Sequence, residues 1–180
     1  GNPNFKARNQ SSITVSANGV DWILINASPD IRAQIESFPP LQPARKIRDT
    51  GISSIIITDS QIDHTTGLLI LREHDKPWDI YCTKSVYEDM TTGYPIFNIL
   101  GHFRGVNWHE VSTEQVPYTI PKADNIIFTA VPLQSEAPPY SPHRHNTVPG
   151  DNVGYKMEDT KTGKNLFYAP GLGVIEDHVY

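Results

Sequence analysis

Seven consecutive residues constrain this chain more than any others: positions 52–58 read Ile-Ser-Ser-Ile-Ile-Ile-Thr. β-branched side chains are stiff and favour extended backbone, and a run of them that does not alternate with charged residues leaves no face for water. The stretch therefore reads as a strand buried on both sides in a parallel or mixed sheet. Leu68, Leu69 and Leu71 mark a helix after it, expected to end before Lys76-Pro77. Residues 59–64, Asp-Ser-Gln-Ile-Asp-His, thus lie where a buried strand hands over to a helix.

Upstream, polarity alternates over 12–16, and an apolar run fills 22–26. Asn18-Gly19 between them is a hairpin turn signal. Ser28-Pro29-Asp30 stops the second strand, and Ile31, Gln34, Ile35 and Phe38 recur at helical spacing until Pro39-Pro40. Downstream, 79–82 reads as a strand, 84–90 as a helix and, after the Gly93-Tyr94-Pro95 break, 96–100 as a strand again. Strands are then expected at 106–111, 118–120, 126–132, 153–157 and 166–168, with a turn at Thr162-Gly163. A Pro-rich stretch between Ser135 and Asn152 is longer than a simple connection needs, and such loops are often functional.

The 180 residues suffice for one domain with a buried core. A net charge of -5 offers no basic surface for nucleic acid. No apolar run approaches the roughly 18 residues that span a bilayer, so membrane insertion is not expected. Cys82 alone makes no internal disulfide, which fits a reducing cytoplasm, and it reads as a buried strand residue rather than a nucleophile.

The chemistry concentrates at the end of the buried strand. A rigid strand followed by a loop can make donors converge, and here Asp59, Gln61 and Asp63 alternate along the exit with His64 beside them. Carboxylate plus imidazole suits zinc, iron or manganese. Asp63, His64 and Gln61 are the candidate metal donors, with Asp63 and His64 the candidate catalytic pair. The competing reading makes Asp63 a helix cap and His64 a water-exposed residue of the first helical turn.

Hairpin, helix, buried strand, donor-rich loop and helix follow one another as in the metallo-β-lactamase superfamily, whose loop reads His-x-His-x-Asp-His. Here Asp59 and Gln61 stand in place of both leading histidines. Four further segments sharpen the likeness: Gln10-Ser11-Ser12-Ile13; Asn26-Ala27-Ser28-Pro29-Asp30-Ile31-Arg32; Gly67-Leu68-Leu69-Ile70-Leu71-Arg72-Glu73; and Tyr168-Ala169-Pro170-Gly171. With Asp63-His64 they resemble the pyrroloquinoline quinone (PQQ) biosynthesis protein B family. The resemblance implies an α/β fold, a metallo-β-lactamase-like αββα sandwich of which this chain forms the N-terminal half. It implies one domain over 1–180, incomplete at both termini, and a third ligand histidine beyond Tyr180. It implies one iron, with zinc as surrogate, rather than a two-metal hydrolase, because both leading histidines are replaced.

Two roles stay open from that resemblance: an iron-dependent hydroxylase of a tyrosine-derived precursor, or a carrier of PQQ or its precursor to the periplasm. Either implies a small-molecule PQQ precursor and other PQQ-pathway proteins as partners, in the cytoplasm, with a homodimer left open. The 180 residues alone are expected to be inactive.

Secondary candidates lie in the Pro-rich loop. His143, Arg144 and His145, taken as extended, would turn both imidazoles to one side and let Arg144 hold an anionic substrate; a solvated loop is the alternative. Asp151-Asn152 reads as an Asx turn after Pro149-Gly150. Asp30 and Arg32 read as structural residues of the first helix. His74, His102, His109 and His178 have no partner at ligand spacing and are assigned to surface or packing.

Overall fold

The computed structural model describes residues 4–5, 8–46, 49–175 and 177; His178 lies outside them. Five strands form one sheet in the order β1 (Ile13–Val15), β2 (Trp22–Ile25), β3 (Ile52–Ile56), β4 (Trp78–Cys82) and β5 (Val106–Glu110). β1 is antiparallel to β2, and the pairings from β2 through β5 are parallel. A second, antiparallel sheet comprises β6 (Ile126–Pro132), β7 (Val153–Asp159) and β8 (Lys164–Tyr168).

The expected two-sided burial of β3 is what the sheet requires. Ile52, Ile55 and Ile57 face one core, packed with the helices α1 (Ile31–Ser37), α3 (Gly67–Ile70), α4 (Lys84–Thr91) and α5 (Ile96–Leu100). Ile56 faces the other, where Ile23, Ile25 and Tyr81 meet Phe128, Ala130, Val153 and Tyr155 of the second sheet. Helix layer, sheet and sheet stack in that order, which is three of the four layers of an αββα sandwich. The described residues form no helices on the outer face of β6–β8, where Phe167, opposite Lys156, is exposed.

The hairpin turn forms at Asn18-Gly19, with Gly19 at φ 74° and Asn18 Oδ1 accepting from the backbone N–H groups of Val20 and Asp21. Three expectations differ from the structure. Residues 96–100 are α5, not a strand: Ile96, Phe97 and Leu100 are buried while Asn98 and Ile99 are exposed, a helical rather than a two-residue period. Residues 118–120 give one isolated bridge, Tyr118 to Phe128, because Pro117 and Pro121 flank them and cannot donate to a ladder. The helix after β3 is two single turns, α2 (Ile62–Thr65) and α3.

The break at α2–α3 has a packing cause. A Cβ on Gly67 would stand 2.3 Å from the Ser28 carbonyl oxygen, so α3 sits directly on the 27–28 backbone. Ala27 donates its N–H to the His64 carbonyl at 2.7 Å and accepts from Gly67 at 2.8 Å. Asn26 at the end of β2 adopts φ 63°, a left-handed conformation that Asn tolerates better than most residues. Its buried amide accepts from the Thr58 N–H at 3.0 Å and donates to Thr58 Oγ1 at 3.0 Å, tying the ends of β2 and β3 together. The unusual Asn-Ala-Ser-Pro segment is therefore the bed on which the donor loop lies.

Candidate metal centre

The donor loop leaves the carboxyl end of β3, the side on which ligands gather in parallel sheets. Gln61, not Asp63, is the N-cap of α2, and its side chain makes no cap bond. His64 is 6% exposed, so the reading of a water-exposed first-turn residue fails. Asp63 is half exposed, and one of its oxygens lies 3.9 Å from His64 Nε2.

On the other side of the ring, His64 Nδ1 is 2.7 Å from Asp59 Oδ1. Asp59 is 1% exposed; Oδ1 also accepts from the Gln61 N–H at 3.0 Å, and Oδ2 accepts from the Thr58 hydroxyl at 2.9 Å. Burial draws the His64 imidazole toward neutrality, but the hydrogen bond and charge of Asp59, with Asp63 behind, leave its pKa above the ordinary histidine value. Asp63 and His64 Nε2 thus form the open side of the centre, and Asp59 its buried side. Gln61, the third donor named from sequence, contributes its backbone: its N–H to Asp59 and its carbonyl to the Thr65 hydroxyl.

These residues fit a metal in part. An imidazole whose Nδ1 is held by a carboxylate presents Nε2 as a ligand, the arrangement common around protein-bound metals. Asp63 adds a carboxylate next to it. Among the described residues, no group of three or more His, Cys, Asp or Glu side chains is arranged to hold a metal ion. The pair could supply two positions of a coordination shell, not a whole one.

The Pro-rich loop packs onto the donor loop. Tyr140 donates its hydroxyl to the Ser60 carbonyl at 2.6 Å, Ser60 donates its own to Asp89 of α4 at 2.5 Å, and Asp59 bridges Asn152 through the backbone. Burial raises the pKa of Asp89, partly offset by the hydroxyls of Ser141 and Ser60. Residues 143–145 are turns, not an extended segment. His143 is drawn to Asp151 at 3.0 Å and lies 3.5 Å from Glu88, whereas His145 is exposed. Arg144 pairs with Glu136 at 2.7 Å and donates to the Ala137 carbonyl.

Asp151 also accepts from the Val148 N–H, three residues before it, whereas Val153 gives its N–H to the Thr58 carbonyl, so the Asx turn expected at Asp151-Asn152 does not form. Lys84, Glu88, Glu110 and His143 line a cavity of about 690 Å³ at the carboxyl ends of β4 and β5; Asp63 and His64 are not among its walls. Of the other histidines, His109 stacks on Tyr81 and bonds Asp79, His74 stacks on Trp78, and His102 is exposed.

Sequence reasoning missed Asp59 as the partner of His64. The motif comparison marks it only as a replaced histidine, and the one available signal, a carboxylate five residues before an imidazole, gains meaning only when the loop curls back.

Two packed sheets with one helix layer, and a donor loop at the strand end, define a known class. The model of the beta-lactamase superfamily domain matches residues 21–180, and the chain belongs to that superfamily. Within it, the chain is 57% identical over 183 residues to coenzyme PQQ synthesis protein B of Nitrosococcus oceani, covering 98% of this chain and 59% of that protein. It is 56% identical over 173 residues to the protein of the same name from Pseudomonas syringae pv. tomato, covering 96% and 56%. The chain thus spans somewhat under three fifths of the length of these curated relatives.

Among solved structures, it is similar to Zn(2+)-bound PqqB from Methylobacterium extorquens, with a TM-score of 0.78 and 27% identity over 96% of this chain and 56% of that one. A diphosphatase of the PhnP family, at 19% identity and a TM-score of 0.57 over 84% of this chain and 49% of its own, shares the fold alone. No helix among the described residues is long and apolar enough to cross a membrane.

Proposed function

We propose that this chain serves PQQ biosynthesis as part of an iron-dependent hydroxylase that acts on a tyrosine-derived precursor. The observation that carries the metal-site reading is the orientation of His64, whose Nδ1 is held by Asp59 while Nε2 stands beside Asp63. One carboxylate and one imidazole are two parts of the two-histidine, one-carboxylate set that non-haem iron oxygenases use with open positions. The shell would be completed from outside the described residues. The names of the relatives supply the pathway.

Iron, when bound, would supply the site at which dioxygen is activated. With an external two-electron donor supplying two electrons and two protons, that chemistry would place one oxygen atom in a C–H bond of the precursor and release the other as water. Asp63 and His64 would hold the metal, and Asp59 holds His64. Substrate contacts are assigned to the Pro-rich loop: His143 and His145, with Arg144 exchanging Glu136 for a substrate carboxylate.

The test uses the full-length protein reconstituted with ferrous iron, with metal content and the oxygen-added product measured together. Asp63→Ala and His64→Ala lose both; turnover retained by either variant refutes the assignment.

A further inference from the structure

Asp59 stands where the superfamily loop places its first metal-binding histidine, yet both of its oxygens are already engaged. Oδ1 receives the Gln61 N–H and faces His64 Nδ1, while Oδ2 receives the Thr58 hydroxyl. The carboxylate is also walled in. A Cβ on Gly171 would lie 3.3 Å from Asp59 Oδ2 and 3.0 Å from Asn152 Oδ1, so Gly171 lies close against the carboxylate, which is 1% exposed. The Asp59–Asn152 bridge fixes the backbone at the same place.

A carboxylate in this position has one evident effect on a neighbouring imidazole. It selects the tautomer with the proton on Nδ1 and frees Nε2. We propose that Asp59 is the positioning residue of the metal centre, holding His64 as an Nδ1–H tautomer so that Nε2 is the ligand atom beside Asp63. This rests on the metal-site reading above and adds to it: the replaced first histidine is not a lost ligand but the support of a remaining one.

The conservative variant separates positioning from bulk structure. In Asp59→Asn the side-chain oxygen still accepts from Nδ1–H and from Gln61, and the amide can donate to Thr58 Oγ1, so the loop is kept while the charge is removed. Asp59→Ala removes both. Two readouts apply to the full-length, metal-free protein: the His64 tautomer from ¹⁵N-histidine NMR at alkaline pH, and zinc affinity by competition with a chelating dye.

The wild type and Asp59→Asn are expected to show Nδ1–H, and Asp59→Ala the Nε2–H form. Zinc affinity falls about 10-fold in Asp59→Asn and up to about 100-fold in Asp59→Ala. A wild type with Nε2–H, or zinc affinities within about twofold of one another across all three proteins, overturns the assignment. A wild type that has the Nδ1–H tautomer but binds no zinc overturns the proposed function instead, and leaves the hold of Asp59 on His64 supported.

Discussion

Replacing Asn26 offers a stability test in which two physical effects can be measured apart. The Thr58 N–H is buried and its partner is Asn26 Oδ1 at 3.0 Å. Asn26→Ala leaves that donor unpaired, at a cost of about 1–3 kcal/mol. It also places a Cβ-bearing residue without a compensating polar side chain at φ 63°, which costs about 1–2 kcal/mol. The sum is roughly 2–5 kcal/mol, centred near 3.5.

Asn26→Gly loses the same hydrogen bond but not the backbone strain, and recovers about 1 kcal/mol relative to the alanine variant. In urea, with a slope near ~2.5 kcal/mol/M, the alanine midpoint falls by about 1.4 M and the glycine midpoint by about 1 M. The assay is equilibrium unfolding of the full-length protein followed by circular dichroism, with equal slopes required across the set. An alanine shift below about 0.4 M refutes the hydrogen-bond argument. A glycine variant no more stable than alanine refutes the strain argument.

Two further outcomes are expected. The hydrogen bond that His143 donates to the Asp151 carboxylate, aided by the charges of Asp151, Glu88 and Asp89, raises the pKa of His143 above the ordinary value despite partial burial. Its stabilising contribution is therefore complete below about pH 6.5 and lost as pH rises through the raised value. His143→Gln should flatten the decline in stability above that pH; an unchanged slope between the two proteins contradicts the pairing. Cys82 is fully buried, and burial drives its thiol pKa far up. Alkylation by iodoacetamide should then proceed only at the rate at which the protein opens, and rapid labelling of the native state would refute it.

The sequence disclosed those features whose cause is local. The β-branched run made β3, and helical spacing before Pro39-Pro40 made α1. Residues 96–100 were illegible because five mainly apolar residues fit a short strand or a single helical turn equally well, and burial against α4 decides between them. At the site, Asp63 and His64 are visible as adjacent donors. Asp59 is not visible as their support, since its role depends on a loop that closes over five residues and is clamped by Asn152. The same holds for His143: two imidazoles at a spacing of two suggest a shared side only on an extended chain, and Asp151 draws the first into a turn.

The attachment of the Pro-rich loop to the donor loop bears on the order in which the molecule assembles. Tyr140 reaches Ser60 across 80 positions of sequence, and Val153 donates its N–H to the Thr58 carbonyl. Contacts so distant along the chain incur their loop-closure entropy before they return any energy, which makes them slow to form. The donor loop can therefore reach its final shape only after β6 and β7 have settled on the first sheet. On the proposed metal-site reading, ion capture would be one of the last events of folding, and uptake of a metal after dilution from denaturant would clock the docking of the two sheets.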